Sequence, residues 1–567
     1  MKQAWLATTL VICGLAQALI GGQVAIADDD PTGAQLLPKD TLLFFSIPSV
    51  PDFNEEFDKS VTGSMLRDPE LKPFLDDVRK KIDELSDKLQ AEVGVTIPEL
   101  LAIPKGEITI AVMERPARKL APVLIMDYGD KETIEKLLKK MHDGLDDVAE
   151  HSTQDVGDVS VHVYAFKNLE PNNPFQTLAY FNDDSCLVFS TSVDALKEVL
   201  DRWDGDSTDT LANNDIYKYV QDRCKEESSD PALVWFVNPI GLIQSSLDMA
   251  SEFAPQVGMA KIFLPSLGID KLKGWGGASY YGSDDFDGVS KTFVHAEQPT
   301  GVLNIFQFPA TDLAPPKWVP ADVTAYFSAN WNVPQAYQAI ESLVDSIQGR
   351  GATAKQLDKL ANSEDGPGLH IKKDVLDLLD GKFHVTQRAS EDSDEPAPKF
   401  LMAFDVKDPA KMKKTLAKAA KSEGANLETR DFNGETIYEV SAGDDQTISM
   451  AVTGGQVVFT NDTPALEAML RTVSTAPLAE SVGYRKIAKR FPPKVSMIAY
   501  SRADAQMKAA YEMLKNADNA EFLEGIDVKK LPPFEALEKY LRPSGSYAVP
   551  DKKGALFVTF QLKEGDK

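Results

Sequence analysis

Two periodicities alternate along this chain. Apolar residues at every second position mark short strands, and apolar residues three and four apart mark helices between them. In the first half a strand runs Leu43-Phe44-Phe45-Ser46. An amphipathic helix follows, opened by Asp68-Pro69, with Leu71, Phe74, Leu75, Val78, Ile82, Leu85 and Leu89 on one face. The pattern then predicts strands over 106–113 and 121–127, and a helix over 130–143 with Ile134, Leu137, Leu138 and Met141 inward. Strands over 159–166, 177–182 and 185–191, helices over 193–202 and 213–223, a strand over 232–238 and a helix over 240–252 complete the series. A hairpin closes it, with strands 276–281 and 289–295 about a turn at Asp287-Gly288.

The same order of landmarks occurs a second time. Leu37-Pro38-Lys39-Asp40 before the first strand matches Val319-Pro320-Ala321-Asp322 before Ala325-Tyr326-Phe327-Ser328. Gly94 through Leu100-Leu101 to Gly106-Glu107-Ile108 matches Gly368 through Val375-Leu376 to Gly381-Lys382-Phe383, where a short helix stops at glycine before a strand. Leu187-Val188-Phe189-Ser190-Thr191 with Ala195-Leu196 matches Val457-Val458-Phe459-Thr460-Asn461 with Ala465-Leu466. Tyr217 and Arg223 match Tyr484 and Arg490, and Gly268-Ile269-Asp270 matches Gly525-Ile526-Asp527. A second closing hairpin spans 544–549 and 556–562. Self-similarity at this scale indicates duplication. Adjacent strands joined by short turns, with helices between groups, indicate α+β rather than a wound parallel sheet. The expected architecture is two copies of a mainly antiparallel sheet unit with packed helices, at 34–300 and 305–567, in tandem or pseudo-twofold arrangement. The proline-rich stretch 309–317 reads as the linker, and acidic 390–398 as a solvated hairpin loop.

The first 27 residues stand outside that pattern. Lys2, an apolar run from Leu6 to Ile20, and Ala25-Ile26-Ala27 before Asp28-Asp29-Asp30 read as a signal peptide with its cleavage site. The expectation is a periplasmic or secreted protein with no transmembrane segment after cleavage. The net charge of -27 becomes -28 without residues 1–27, which hold Lys2 and no acid. Such acidity argues against nucleic acid and anionic lipid as partners. Beyond Cys13, only Cys186 and Cys224 remain. They are a candidate disulfide in an oxidising compartment. A loop of that size would add ~3–4 kcal/mol, although the matching second-copy positions, Gln456 and Phe491, do without it.

Concentrated chemistry is absent from the local motifs. The six histidines, 142, 151, 162, 295, 370 and 384, show no H-x-x-x-H or H-E-x-x-H spacing, and each reads as a surface or satisfied core residue rather than a metal ligand. Asp201, Asp204, Asp206 and Asp209 around Gly205, and Asp284, Asp285 and Asp287 before Gly288, are calcium candidates lacking an EF-hand frame, and read better as polar turns. Gly277-Ala278-Ser279-Tyr280-Tyr281 is no nucleophile elbow, and no phosphate-binding glycine loop occurs. No metal or cofactor is expected. Tyr217, Arg223, Tyr484 and Arg490 stand as candidate contact residues, against a plainer reading in which the tyrosines cap the core and the arginines pair locally.

With Leu37-Pro38-Lys39-Asp40-Thr41, the segment from Leu100-Leu101 to Gly106-Glu107, and Asp194-Ala195-Leu196 in place, the chain resembles bacterial exported proteins carrying a domain of unknown function. The second copy departs from that pattern at Val323, Lys382 and Pro464. The resemblance implies fold and location and supplies no catalytic residues. The leading expectation is a non-enzymatic envelope or secreted interaction or scaffold protein whose partner is an unidentified envelope protein. A binding protein for an apolar or lipid-like ligand is the alternative, ahead of a hydrolase with dispersed acidic residues.

Overall fold

The computed structural model describes residues 31–115, 119–167, 169, 176–227, 229–282, 285–363, 368–389, 399–422, 427–441, 447–471, 476–516 and 527–563. The expected leader, the acidic loop 390–398, and Asp284, Gly525 and Ile526 lie outside them. Packing divides the chain into two units. One gathers the described residues up to Lys261 with 272–295 and 514–540, and the other gathers 262–271, 296–513 and 541 onward.

The first unit is built on ten strands: β1 (Leu43–Ile47), β2 (Pro104–Arg115), β3 (Lys119–Tyr128), β4 (Ala149–Val156), β5 (Val159–Phe166), β6 (Thr177–Asn182), β7 (Cys186–Ser190), β8 (Leu233–Val237), β9 (Leu272–Tyr281) and β10 (Phe286–Ala296). Hydrogen bonding orders them β4-β5-β6-β7-β3-β2-β1-β8-β9-β10, antiparallel from β4 through β9. The turn of the closing hairpin falls after Tyr281, at Gly282 (φ 68°), so the expected Asp287-Gly288 turn is corrected: both residues lie inside β10. Asp-Gly is a turn signal, but a glycine with positive φ five residues earlier ends the strand first.

Helices cover both faces of this sheet. On one face lie α1 (Val50–Lys59), α2 (Lys72–Val93) and α3 (Lys131–Leu145). They pack Phe53, Leu89, Ile134, Leu137, Met141 and Leu145 against Ile108, Met126, Tyr164, Tyr180 and Leu187. Helix α3 starts where the Asp130 carboxylate accepts from the amides of Glu132 and Thr133, both at 3.3 Å. Each of its four buried apolar side chains contributes roughly 1.5–3 kcal/mol by leaving water. On the other face, α4 (Val193–Leu200) packs on β6 and β7, and α5 (Asp215–Cys224) packs on β9.

The second unit has β11 (Ala325–Asn330), β12 (Leu379–Arg388), β13 (Lys399–Val406), β14 (Leu427–Phe432), β15 (Glu435–Ser441), β16 (Thr447–Thr453), β17 (Gln456–Thr460), β18 (Met497–Arg502), β19 (Pro543–Asp551) and β20 (Gly554–Leu562). Their order is β14-β15-β16-β17-β13-β12-β11-β18-β19-β20, antiparallel throughout. Helices α6 (Val333–Gln348) and α7 (Pro409–Ala419) bury Val333 and Met412 on one face, and α8 (Thr463–Leu470) buries Leu466 and Leu470 on the other. The stretch expected to be a linker is packed: Thr311 and Val495 exchange two backbone hydrogen bonds of 2.9 Å. Among the described residues, no helix is long and apolar enough to cross a membrane. The fold class is α+β.

Candidate functional site

Strand register brings together side chains that are far apart in sequence. The β4–β5 hairpin turns at Gly157 (φ 60°), pairing His151 with Tyr164 and Thr153 with His162. Because side chains alternate across a strand, these four share one face. On the next strand His162 pairs with Tyr180. The last turn of α3 brings His142 to the same place, its Nδ1 lying 3.1 Å from the Tyr164 hydroxyl.

The result is a ladder of five rings. His151 stacks on Tyr164 and His162 on Tyr180, each at 4.8 Å between centroids, while His142 meets His151 edge-on at 4.7 Å. His151 Nε2 lies 3.1 Å from His162 Nδ1. The two rings are parallel within 8° and their centroids are 5.3 Å apart. The difference of 2.2 Å matches about two ring radii, so the rings lie edge to edge and nearly in one plane. Each nitrogen then points straight at the other, which is the geometry of an N–H···N hydrogen bond. A metal would need the two lone pairs to converge on a third point. Among the described residues, no three His, Cys, Asp or Glu side chains are grouped to hold a metal.

His151 is exposed and His162 half-buried, and partial desolvation holds both imidazoles below their ordinary range, with His142 acting on His151, and His151 and then His142 acting on His162. Burial also raises the Tyr164 and Tyr180 hydroxyls, which share a hydrogen bond. Spacing along the chain does not show that these histidines converge. The available signal was the Gly157-Asp158 turn, which fixes the register of 151 against 162. Nothing in the sequence shows that α3 delivers His142 to that face.

The residues singled out from sequence do not form one site. Tyr217 sits edge-on to Phe44 and Phe236, and Tyr484 edge-on to Phe491 and Tyr500. Burial raises both hydroxyls. Arg223 lies over the Tyr219 ring at 5.1 Å and Arg490 over the Phe560 ring at 5.5 Å. The tyrosines cap the sheets and the arginines stack on neighbouring rings. Cys186 and Cys224 are free, buried thiols. Cys186 lies in β7 and Cys224 packs on Gly276 of β9, five strand positions away in the sheet order, or ~24 Å. That is far beyond disulfide reach. Burial pushes the Cys186 thiol well up and the Cys224 thiol up to about 12.

The acidic turns have local work. Asp209 accepts from Arg202 through its backbone carbonyl at 2.7 Å and its carboxylate at 3.3 Å, and Asp287 accepts from the Val61 amide at 2.9 Å. The opening motif is likewise occupied in both units. Leu211 N donates to Leu37 O and Leu478 N to Val319 O, each at 2.8 Å, and Pro38 and Pro320 bridge to Thr210 and Pro477. A polar cavity of about 420 Å³ lies beside the first motif, lined by Pro38, Lys39, Asp40, Glu198, Arg202 and Asp209.

A family model described as a protein of unknown function (DUF3352) matches residues 302–527, so the second half carries a domain of unknown function. No curated protein and no solved structure matches the chain.

Proposed function

We propose that the chain is an exported, non-catalytic scaffold or interaction protein of the envelope or its surroundings, built by tandem duplication of one α+β unit. The observation that carries this reading is the shared use of the shared motif. In both units the Pro-containing segment before the first strand is pinned by the same backbone contact to the segment before a matching helix, Leu37 to Leu211 and Val319 to Leu478. The identical ten-strand order supports the duplication. What the two halves have in common is mostly architecture, Pro, Leu and Tyr residues that fix strands and cap sheets, with Asp40/Asp322, Asp270/Asp527 and Arg223/Arg490 as the matched polar residues. An ancestral enzyme would be expected to leave matched polar groups facing one point. Export is supported by the Ala25-Ile26-Ala27 cleavage pattern.

Native mass spectrometry of the protein purified from its own envelope tests the reading. A stoichiometric protein partner on a chain beginning at Asp28 supports it. A retained apolar ligand would replace it with a carrier, and turnover abolished by one point substitution would replace it with an enzyme.

A further inference from the structure

The strongest unassigned feature is the imidazole cluster. We propose that His142, His151 and His162 form a proton-operated latch: near neutral pH one shared N–H···N bond joins His151 to His162 beside the end of α3, and acid breaks it, loosening the β4–β5 hairpin from that helix.

The chemistry follows from what each nitrogen carries. At 3.1 Å, one ring offers N–H and the other its lone pair. A first added proton is tolerated, because the bond then runs from imidazolium to imidazole. A second, taken from solvent onto the remaining lone pair, leaves N–H facing N–H with two like charges in contact. His142, 4.7 Å from His151, brings a third imidazole from the last turn of α3.

Solvent reaches the exposed His151, while His162 is half-buried. Among the described residues, the titratable groups in contact with the pair are His142 from α3, Tyr164 from β5 and Tyr180 from β6, and the hydroxyls are neutral. The nearby acids (Asp143, Asp146, Asp147 and Glu150) are not among the charges acting on His151 or His162. Glu150 lies on the opposite face of β4 by strand alternation. Both histidines are held below the ordinary imidazole value. The neutral cluster therefore stabilises the fold above that value, about 6.5, and the contribution is lost as pH falls below it.

The sequence also provides an internal control. In the second unit the matching register pairs Leu427 with Val440, Thr429 with Tyr438, and Tyr438 with Met450, so no imidazole occupies that face.

Hydrogen-exchange mass spectrometry of the full mature chain at pH 7.5 and pH 5.0, corrected for intrinsic exchange, tests the latch. Protection in 149–166 is expected to fall several-fold, with less than about twofold change in 427–441. His162→Gln keeps an amide able to bond His151 but cannot take up a proton, so its acid response should shrink to that of 427–441. His142→Gln should give an intermediate response. Equal loss in both hairpins, or a full response retained by His162→Gln, overturns the latch. A bound stoichiometric metal whose removal by EDTA lowers protection at pH 7.5 also overturns it.

Discussion

Strands β4-β5-β6 and β14-β15-β16 occupy the same place in two ten-strand runs of identical order, and they carry different chemistry. The first triplet presents His151, His162, Tyr164 and Tyr180 on the face that His142 of α3 reaches. The second presents Leu427, Tyr438, Val440 and Met450 at the same register positions. Its charges lie on the other face, where Arg430 bonds Glu439 at 3.1 Å and Glu467 of α8 at 2.9 Å. A hairpin's backbone pairing tolerates either set, because the ladder hydrogen bonds do not depend on side-chain identity. What distinguishes the two units here is decided by side chains on one face.

The largest effect expected from breaking this difference is at Tyr164. The ring is 1% exposed and takes part in both the core and the ladder. Tyr164→Ala should cost roughly 3–5 kcal/mol, as for other buried aromatic truncations. Val440→Ala, at the partly buried matching position, should cost below about 1.5 kcal/mol. Denaturant unfolding followed separately for each unit checks this, and equal costs would dissolve the contrast.

Acid offers the next comparison. His384 is 5% exposed and 2.9 Å from the Tyr326 hydroxyl, and burial lowers it to about 4 against the nearby Asp405. Its unfolded form binds a proton below about 6.5 while the folded form does not. Stability of the second unit is therefore full above that pH and declines from there toward pH 4. The loss is about 2 kcal/mol between pH 6.5 and 5. Melting curves of the wild type and His384→Gln across that window test it: the variant should lose the slope.

Smaller effects follow at two ion-pair sites. Arg430→Ala removes contacts to Glu439 and Glu467 and should cost about 1 kcal/mol, reduced by salt. Lys539 and Tyr540 hold the Asp68 carboxylate down to about 2, at 2.6 and 2.8 Å. The benefit is present above about 3.8 and lost as pH falls through about 2. Asp68→Asn should give the smallest change, visible as faster exchange in the 527–540 segment and absent in strong acid.

Most of the architecture was legible because burial imposes periodicity. The predicted helix over 130–143 forms as Lys131–Leu145, and the predicted strands 159–166 and 177–182 form at those bounds. The sheet order was not legible, since β3 pairs with β7 across a helix and three strands. That order also separates Cys186 from Cys224, which their closeness in sequence conceals. The ladder failed to appear for a related reason: its rings come from a helix and three strands, and convergence is a property of register rather than of spacing.

The two isolated thiols make the first sheet self-reporting. Each is shielded from reagent and held in its unreactive protonated form by burial, one toward the β4–β7 side and the other beside β9. An alkylating reagent therefore reacts only when the protein around a thiol opens. Mass-resolved labelling of Cys186 against Cys224 times the breathing of the two sides of the sheet separately, within one unmodified molecule.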